Sequence, residues 1–296
     1  MRYLSHELQI KYERIKGKYP DIEEITNPLM NVSDVLRAYF ILADYFTDET
    51  AEKEIEPMLV EVLHMDLLIS AITRQISSYG GISKYRDPIG ITATLFYGLV
   101  KNHCFVDGNK RTALLTLLYQ LDQFGYIPIA GVKEFESLTV ATAANTLQEK
   151  FKKEWKKAKS IPDETDRRVD TISRCLKRMT RKKDNTFHIN ITADEFVAAL
   201  NKIEGCRCYI DGTKIKMERK IQKRLWLVKA STETKSYAIS YRGKTRTIGA
   251  GTIREALSHL ELYEQFPNYK SLIEGTDPRY MLIDQFEGPL RRLKDK

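Results

Sequence analysis

The sequence predicts a mainly α-helical domain followed by a smaller, basic α+β domain. Apolar residues recur at spacings of three and four through residues 1–149, which is typical of helices. From Thr186 onwards, short strand-like runs alternate with helical ones. The charge also divides the chain, because residues 1–149 hold 14 Lys and Arg against 20 Asp and Glu, whereas residues 150–296 hold 34 against 20. This asymmetry indicates either a nucleic-acid or acidic partner for the basic part or a solvated basic surface.

The first half contains helical patterns joined by turns. SDVLRAYFILADYF and IEPMLVEVLHMDLLISAITRQI both have helical spacing. SSYGGISKYRDPIG then interrupts the pattern with the turn signals Gly80-Gly81 and Asp87-Pro88. ITATLFYGLVKNH resumes as a helix, and TALLTLLYQL is apolar nearly all round, as expected of a buried central helix that ends near Gly125. VKEFESLTVATAANTLQ closes the predicted bundle.

The second half is predicted to contain a linker and a separate domain. We place the first domain at residues 1–149, a basic and partly helical linker at residues 150–185, and a basic α+β domain at residues 186–296. FHINI, RLWLVKAS and KSYAISYRG are strand-like, and Asp211-Gly212 is a hairpin signal. With helices on either side, the topology alone resembles that of double-stranded RNA-binding and HicA-like domains. We therefore expect either RNA contact through the basic surface or an accessory or dimerisation role.

The cellular compartment is predicted from the absence of two sequence features, a membrane span and a signal peptide. No stretch reaches the roughly 18–20 apolar residues that span a bilayer, and the N-terminus has no apolar signal-peptide region. We therefore expect a cytoplasmic protein without membrane contact. The four cysteines fit a reducing compartment. Cys206 and Cys208 form a C-x-C pattern, which we interpret as free thiols because no second Cys/His pair stands at zinc-binding spacing.

Residues His103–Arg111, HCFVDGNKR, combine groups that can bind a polyphosphate and react with it. They precede an apolar helix whose N-terminal amides and dipole favour an anion, and Gly108 lets the backbone approach that anion closely. Asp107 can hold a divalent cation across phosphate oxygens. Arg111 offers a rigid bidentate fork for phosphate. His103 can take a proton near neutral pH.

HCFVDGNKR resembles the signature of the Fic/Doc family, H-x-F-x-[D/E/N]-[G/A]-N-[G/K]-R, with every fixed position filled. The resemblance covers roughly residues 62–147 and implies a helical bundle with a short β-hairpin flap. It implies that His103 is the general base, that Asp107 is the Mg²⁺ ligand, and that Phe105 anchors the loop. ATP or another nucleoside triphosphate would be bound with Mg²⁺ by Gly108, Asn109, Lys110 and Arg111. Since this chemistry needs no thiol, we assign Cys104 to packing.

Two positions indicate the Doc-like branch. AMP-transferring Fic proteins usually have a glycine where Lys110 stands and a second arginine where Leu114 stands. Gly108 does not fit the Doc-like assignment, since the founding Doc protein has alanine at the corresponding position. We expect transfer of a phosphoryl group to a Ser or Thr hydroxyl of a cytosolic protein, with AMP transfer as the alternative. A hypothesis of another class is an RNA- or protein-binding module with a regulatory Fic-like scaffold.

The flap is expected in QISSYGGISKYRDP, with Tyr79, Gly81 and Tyr85 as substrate-binding residues. In the family, such a hairpin clamps an extended segment of the target by strand pairing. The alternative is an ordinary loop between two helices.

Regulation is predicted from a missing motif. Many Fic proteins carry an inhibitory [S/T]-x-x-x-E-[G/N] element, but the residues four positions before the three Glu-Gly pairs of this chain are Leu200, Lys270 and Ile283. We therefore expect restraint by a separate, antitoxin-like partner that folds on binding, as for the toxin of a toxin-antitoxin pair, or by the C-terminal domain.

Overall fold

The computed structural model describes residues 4–48, 58–183, 191–223, 231–241, 243, 246–263, 266, 269–275 and 277–294. These residues form two compact units. The helical unit consists of the described residues of Leu4–Lys183 and Arg279–Lys296, and the α+β unit of those of Asp184–Pro278.

The helical unit begins with helices and adds three pairs of short extended segments. Its elements up to residue 183 are α1 (His6–Lys18), α2 (Val32–Asp48), α3 (Met65–Thr73), β1 (Ser78–Tyr79), β2 (Ile82–Ser83), α4 (Pro88–Lys101), α5 (Asn109–Gln123), β3 (Tyr126–Pro128), α6 (Val132–Ala143), α7 (Leu147–Lys150), α8 (Lys152–Lys157), α9 (Glu164–Met179) and β4 (Thr180–Lys182). β1 pairs with β2, β3 with β4, and Val62 with Phe105 in an isolated bridge, all antiparallel. The predicted mainly helical fold with a small hairpin is confirmed.

The two central helices are α4 and α5. Asp87 caps α4, since its side chain accepts a hydrogen bond from the Gly90 amide at 3.0 Å, and Pro88 occupies the first helical turn, where its missing N–H costs nothing. Both helices are buried along most of their length. Gly125 follows α5 with φ +76°, the left-handed conformation that ends many helices. The chain between them, residues 102–108, is therefore held at both ends by buried helices.

Residues 150–183 belong to the helical unit, where the sequence analysis placed a linker. The apolar stripe of α9, which includes Val169, Ile172 and Leu176, is buried in the main core. β4 continues from α9 and pairs with β3, with Tyr126 opposite Lys182. The many charges of this segment lie on the opposite face of an amphipathic helix, so its high charge alone did not indicate a linker.

The extended segment before α3 also differs from the prediction. A helix was predicted over residues 55–76, of which 55–57 lie outside the described residues, but α3 begins only at Met65. The amide of Leu63 donates to the carbonyl of Cys104 at 2.9 Å, and the amide of Val106 donates to that of Glu61 at 3.1 Å. Pairing with a distant loop therefore replaces the helical hydrogen bonds of this segment.

The α+β unit contains β5 (Ile191–Thr192), α10 (Ala193–Asn201), β6 (Cys206–Asp211), β7 (Lys214–Lys223), β8 (Ser231–Ser240), β9 (Thr247–Ile248), α11 (Ala250–His259) and α12 (Tyr269–Glu274). β6, β7 and β8 form an antiparallel sheet, and Gly212 turns the predicted hairpin with φ +56°. Alternate strand residues such as Ile215 and Met217 share a core with Phe196 of α10 and Leu257 of α11. The predicted strand residues 187–190 and 224–230 lie outside the described residues.

The last helix, α13 (Pro278–Arg292), belongs mainly to the helical unit. The guanidinium of Arg279 is buried, ion-pairs with Asp34 at 3.0 Å, and lies 3.8 Å from the ring centroid of Tyr119. Further along, Phe286 packs edge-on against Phe135 with a centroid distance of 5.5 Å. The predicted C-terminal domain, residues 186–296, included these residues, because their spacing does not show that their partners lie far earlier in the chain.

The positive charge of the C-terminal half is concentrated in the helical unit. Residues 150–183 hold 14 Lys and Arg against 5 Asp and Glu, whereas residues 184–278 hold 15 against 12. The α+β unit is therefore only weakly basic. Among the described helices, none has the length and apolar character that crossing a membrane requires.

Phe286→Ala should lower the free energy of unfolding of the helical unit by about 3 kcal/mol, because it leaves a cavity against Phe135 in a core that α13 shares. Urea unfolding followed by the helical circular dichroism signal measures the change. The matched control is Gln285→Ala, an exposed position on the same helix, which we expect to change stability by no more than about 0.5 kcal/mol. Equal stability of the two variants would show that α13 does not share the core.

Candidate functional site

His103 lies at the turn that carries the chain out of α4. Its φ of +48° is in the left-handed region, which ends the helix and directs the following residues towards α5. The Asn102 side chain donates to the carbonyl of Leu67 at 2.8 Å and so supports this turn from α3. The His103 side chain is exposed. The structure therefore places the predicted base at the surface, beside the loop that joins the two central helices.

Phe105 anchors this loop in the core, as the resemblance implied. Its ring is buried and stacks on Tyr39 of α2, with centroids 4.0 Å apart and an interplanar angle of 14°. The Tyr39 hydroxyl accepts from the amide of Glu61 at 3.0 Å and lies 3.1 Å from the carbonyl oxygen of Leu59. Burial is the main cause that raises the pKa of Tyr39 above its usual value. The neutral phenol thus fastens the extended segment and the loop to the same helix.

Cys104 is a packing residue in the structure. Its side chain is fully buried, and burial raises the pKa of its thiol to about 12. At neutral pH almost none of it is thiolate, the form that acts as nucleophile or metal ligand. The assignment to packing agrees with these properties.

Asn109 closes the loop with its side chain, a role the sequence analysis did not find. Its Oδ1 accepts from the amide of Phe105 at 3.0 Å, and its Nδ2 donates to the carbonyl of Phe105 at 2.7 Å. The residue is buried. This side chain therefore shapes the loop, and a hydrogen bond from it to a phosphate stays a prediction.

Gly108 supplies the backbone conformation that begins α5. Its φ is +83°, where side chains other than glycine are strained. A Cβ atom here would lie 2.7 Å from the sulfur of Met58, so a side chain would require the Met58 side chain to shift. The role of Gly108 was predicted from the sequence, whereas its contact with Met58 was not.

Asp107 and Arg111 form an ion pair one turn apart at the start of α5. Arg111 Nη2 lies 2.9 Å from Oδ1 and 3.1 Å from Oδ2 of Asp107. Arg111 is only 4% exposed, and its guanidinium lies 5.2 Å from the ring centroid of Phe46. Within the described part of the chain, its buried Nε has no hydrogen-bond partner.

A magnesium ion at this motif would have to be held mainly by the substrate. Among the described residues, no group of three or more His, Cys, Asp or Glu side chains is arranged to hold a metal. Magnesium commonly binds through one or two carboxylates, with phosphate oxygens and water as its other ligands. Asp107 is the carboxylate that the motif offers for this purpose.

Lys110 extends from α5 to the end of the chain. Its Nζ donates to the carbonyl of Lys294 at 3.0 Å. Nearby, the guanidinium of Arg291 lies 5.8 Å from the ring centroid of Phe46. The structure thus brings the end of α13 to the motif. Local sequence patterns do not predict this contact, because 184 positions separate Lys110 from Lys294.

The predicted flap forms a two-residue β-hairpin. Ser78 pairs with Ser83 and Tyr79 with Ile82, and the two glycines at the tip have φ of +56° and +76°. Positive φ at both turn residues is typical of a type I′ turn. Tyr79 is 92% exposed, whereas Tyr85 follows the hairpin and packs against the main core. Of the three predicted substrate-binding residues, Tyr79 and Gly81 therefore belong to the hairpin and Tyr85 to its base.

One segment of the chain matches a known protein family. A sequence model described as the Fic/DOC family matches residues 15–121, which include the hairpin and all of HCFVDGNKR. Members of this family are generally transferases that act on proteins, with a nucleoside triphosphate and Mg²⁺. Searches of the curated proteins and of the solved structures found no match.

Asn109→Ala should lower the free energy of unfolding by about 2–4 kcal/mol, because it leaves the buried amide and carbonyl of Phe105 unpaired. Thermal unfolding measures this loss. The control is Asn102→Ala, which removes a single bond from an exposed amide group and should cost no more than about 1 kcal/mol. If both variants lost the same stability, the closing role of Asn109 would be wrong.

Cys104 should resist alkylation in the folded protein at pH 8, since a buried thiol with a pKa of about 12 is almost entirely protonated. Iodoacetamide treatment followed by peptide mass spectrometry gives the rate at each cysteine. The half-buried Cys206 should react faster, and all four cysteines should react in urea. Rapid modification of Cys104 in the native state would contradict a packing role.

Proposed function

We propose that this chain, whose residues 15–121 match the Fic/DOC family model, moves a phosphoryl group from a nucleoside triphosphate to a Ser or Thr hydroxyl of a protein. The observation that carries the proposal is the buried guanidinium of Arg111. It is held beside Asp107 at the N-terminus of α5, and the exposed His103 stands eight residues earlier in the chain. A buried cation at the positive end of a helix is unfavourable unless an anion joins it. Asp107 balances the charge of the guanidinium, and the N-terminal amides of α5 would still favour a phosphate.

Each residue of the motif has one part in the proposed reaction. His103 accepts the proton of the target hydroxyl as its oxygen bonds to the γ-phosphorus. The bond from that phosphorus to the bridging oxygen of the β-phosphate breaks, and the nucleoside diphosphate leaves with the electron pair. Arg111 and the backbone amides at Gly108 and Asn109 hold the phosphate oxygens. Magnesium, held by Asp107, would supply positive charge to the polyphosphate.

The choice of phosphoryl over AMP transfer is supported by the surface of α5. Leu114 is fully buried in the main core. This helix therefore offers Arg111 but no second guanidinium at the position where AMP-transferring relatives usually carry one. Lys110 points instead to the carbonyl of Lys294. AMP transfer remains the alternative reaction, and the same site would then place the α-phosphorus against His103.

The protein substrate is proposed to bind along the hairpin. Tyr79 and Ile82 are both exposed, and among the described strands neither strand of the hairpin pairs with a third one, which leaves an edge for an extended peptide. A segment paired there would present its Ser or Thr side chain. The antitoxin-like inhibitor and the RNA contact stay predictions from the sequence.

Incubation of the protein with a cell lysate, Mg²⁺ and either γ-labelled or α-labelled ATP tests the proposal. We expect protein-bound label from γ-labelled ATP alone, and its loss by at least about 100-fold in His103→Ala, since general-base catalysis contributes roughly that much or more. The matched control is His6→Ala, an exposed histidine on α1, which should retain full transfer.

Label from α-labelled ATP alone would show AMP transfer instead. Full activity of His103→Ala would refute the assignment of the base. Circular dichroism of both variants establishes that they are folded.

A further inference from the structure

The hairpin formed by β1 and β2 is small and largely exposed. Each strand contributes two residues, and the side chains of Tyr79 and Ile82 are 92% and 57% exposed. A two-stranded hairpin is marginally stable by itself in water, even when it is longer than this one. The contacts between its base and the neighbouring helices therefore decide where it lies, and small energies are sufficient to shift it.

The chain that enters the hairpin is held by α4. The Nε of Arg74 donates to the hydroxyl of Thr94 at 3.1 Å, and its guanidinium lies 5.7 Å from the ring centroid of Tyr97. Both partners are buried residues of α4. The amide of Ser77 donates to the carbonyl of Arg74 at 3.3 Å. The first strand therefore starts from a fixed point on a central helix.

The chain that leaves the hairpin is bound to α9. The amide of Lys84 donates to the carbonyl of Ser77 at 2.8 Å, so this residue continues the pairing of the two strands. Its Nζ lies 2.6 Å from Oδ1 of Asp166, and the hydrogen bond with that carboxylate is the main cause that raises the pKa of Lys84. Asp87 Oδ1 lies 3.5 Å from the Nζ of Lys177. Two ion pairs of opposite polarity thus join this part of the chain to one helix.

Helix α9 is a firm support for these ion pairs. Its residues Val169, Ile172 and Leu176 are buried in the main core. The backbone that carries Asp166 and Lys177 therefore cannot shift without opening that core. The helix lies outside residues 15–121, so the family match assigns it no part in the site.

We propose that Asp166 is a positioning residue for the protein substrate, because through Lys84 it holds the hairpin where an extended segment can pair with it. This inference rests on the proposed function. The two side chains are 29% and 46% exposed, and such an ion pair usually adds little to the stability of a whole domain. Here the element that it positions is itself marginal, so the same small energy decides how often the hairpin is in place.

Hydrogen–deuterium exchange of the amides of residues 78–83 measures the effect of this ion pair without any ligand. Asp166→Lys and Lys84→Glu each bring like charges together and should speed this exchange roughly twofold to fivefold, the effect of one exposed ion pair. The double variant, Lys84→Glu with Asp166→Lys, restores the attraction with reversed polarity and should exchange like the parent. High salt should reduce the difference between the single variants and the parent.

Transfer of label from γ-labelled ATP to lysate proteins measures the consequence for the reaction. At saturating ATP with Mg²⁺, each single variant should need roughly twofold to fivefold more lysate protein for half-maximal transfer, with an unchanged maximal rate. The double variant should recover. The matched control is Asp170→Lys, one turn further along α9, which breaks a pair with Arg174 of the same helix. It should leave both measurements unchanged.

The inference is overturned if the single variants exchange like the parent, if the double variant does not recover, or if Asp170→Lys has the effect of Asp166→Lys. Faster exchange with an unchanged dependence on lysate protein would refute the role in substrate binding. A parent that transfers no label would refute the proposed function, whereas the exchange rates would still decide whether this ion pair holds the hairpin.

Discussion

The burial of α5 along nearly its whole length is the constraint on which the helical unit depends. Residues from Arg111 to Leu121 are all buried, so α4, α2, α6 and β3 must pack around this helix. A helix in this position cannot rotate or slide without opening the core. Its N-terminus therefore has a fixed direction, and the loop before it delivers His103, Asp107 and Gly108 to one place.

The loop is rigid because its polar groups are bonded within the protein. Asn109 satisfies both backbone groups of Phe105, and the segment before α3 takes up the carbonyl of Cys104 and the amide of Val106. Buried polar groups that lack partners cost roughly 1–3 kcal/mol each. The loop thus keeps its shape through many small contributions. A preorganised loop does not need to be ordered when a phosphate binds, which makes binding more favourable.

The buried charge of Arg111 connects stability with function. Moving a guanidinium out of water is costly, and one carboxylate offsets only part of that cost. Asp107 and the ring of Phe46 reduce the cost of burying the Arg111 guanidinium. The N-terminus of α5 beside this pair would still favour a polyphosphate. The contacts at the end of α13 extend this region, so the C-terminal helix is part of the architecture around the motif.

The sequence by itself determined the helical class, the hairpin and the identity of the motif. The helical spacing, Gly80-Gly81 and HCFVDGNKR are local patterns, and local patterns reflect local backbone and side-chain preferences. The tertiary structure alone decided where residues 150–183 and α13 pack, and which side chain closes the loop. Asn109 could bond a phosphate or Phe105 equally well by its chemistry, and only the turn of the chain puts Phe105 within reach. Arg291 lies beside Phe46 because buried leucines near the end of α13 fill the core, a long-range contact that residue spacing does not record.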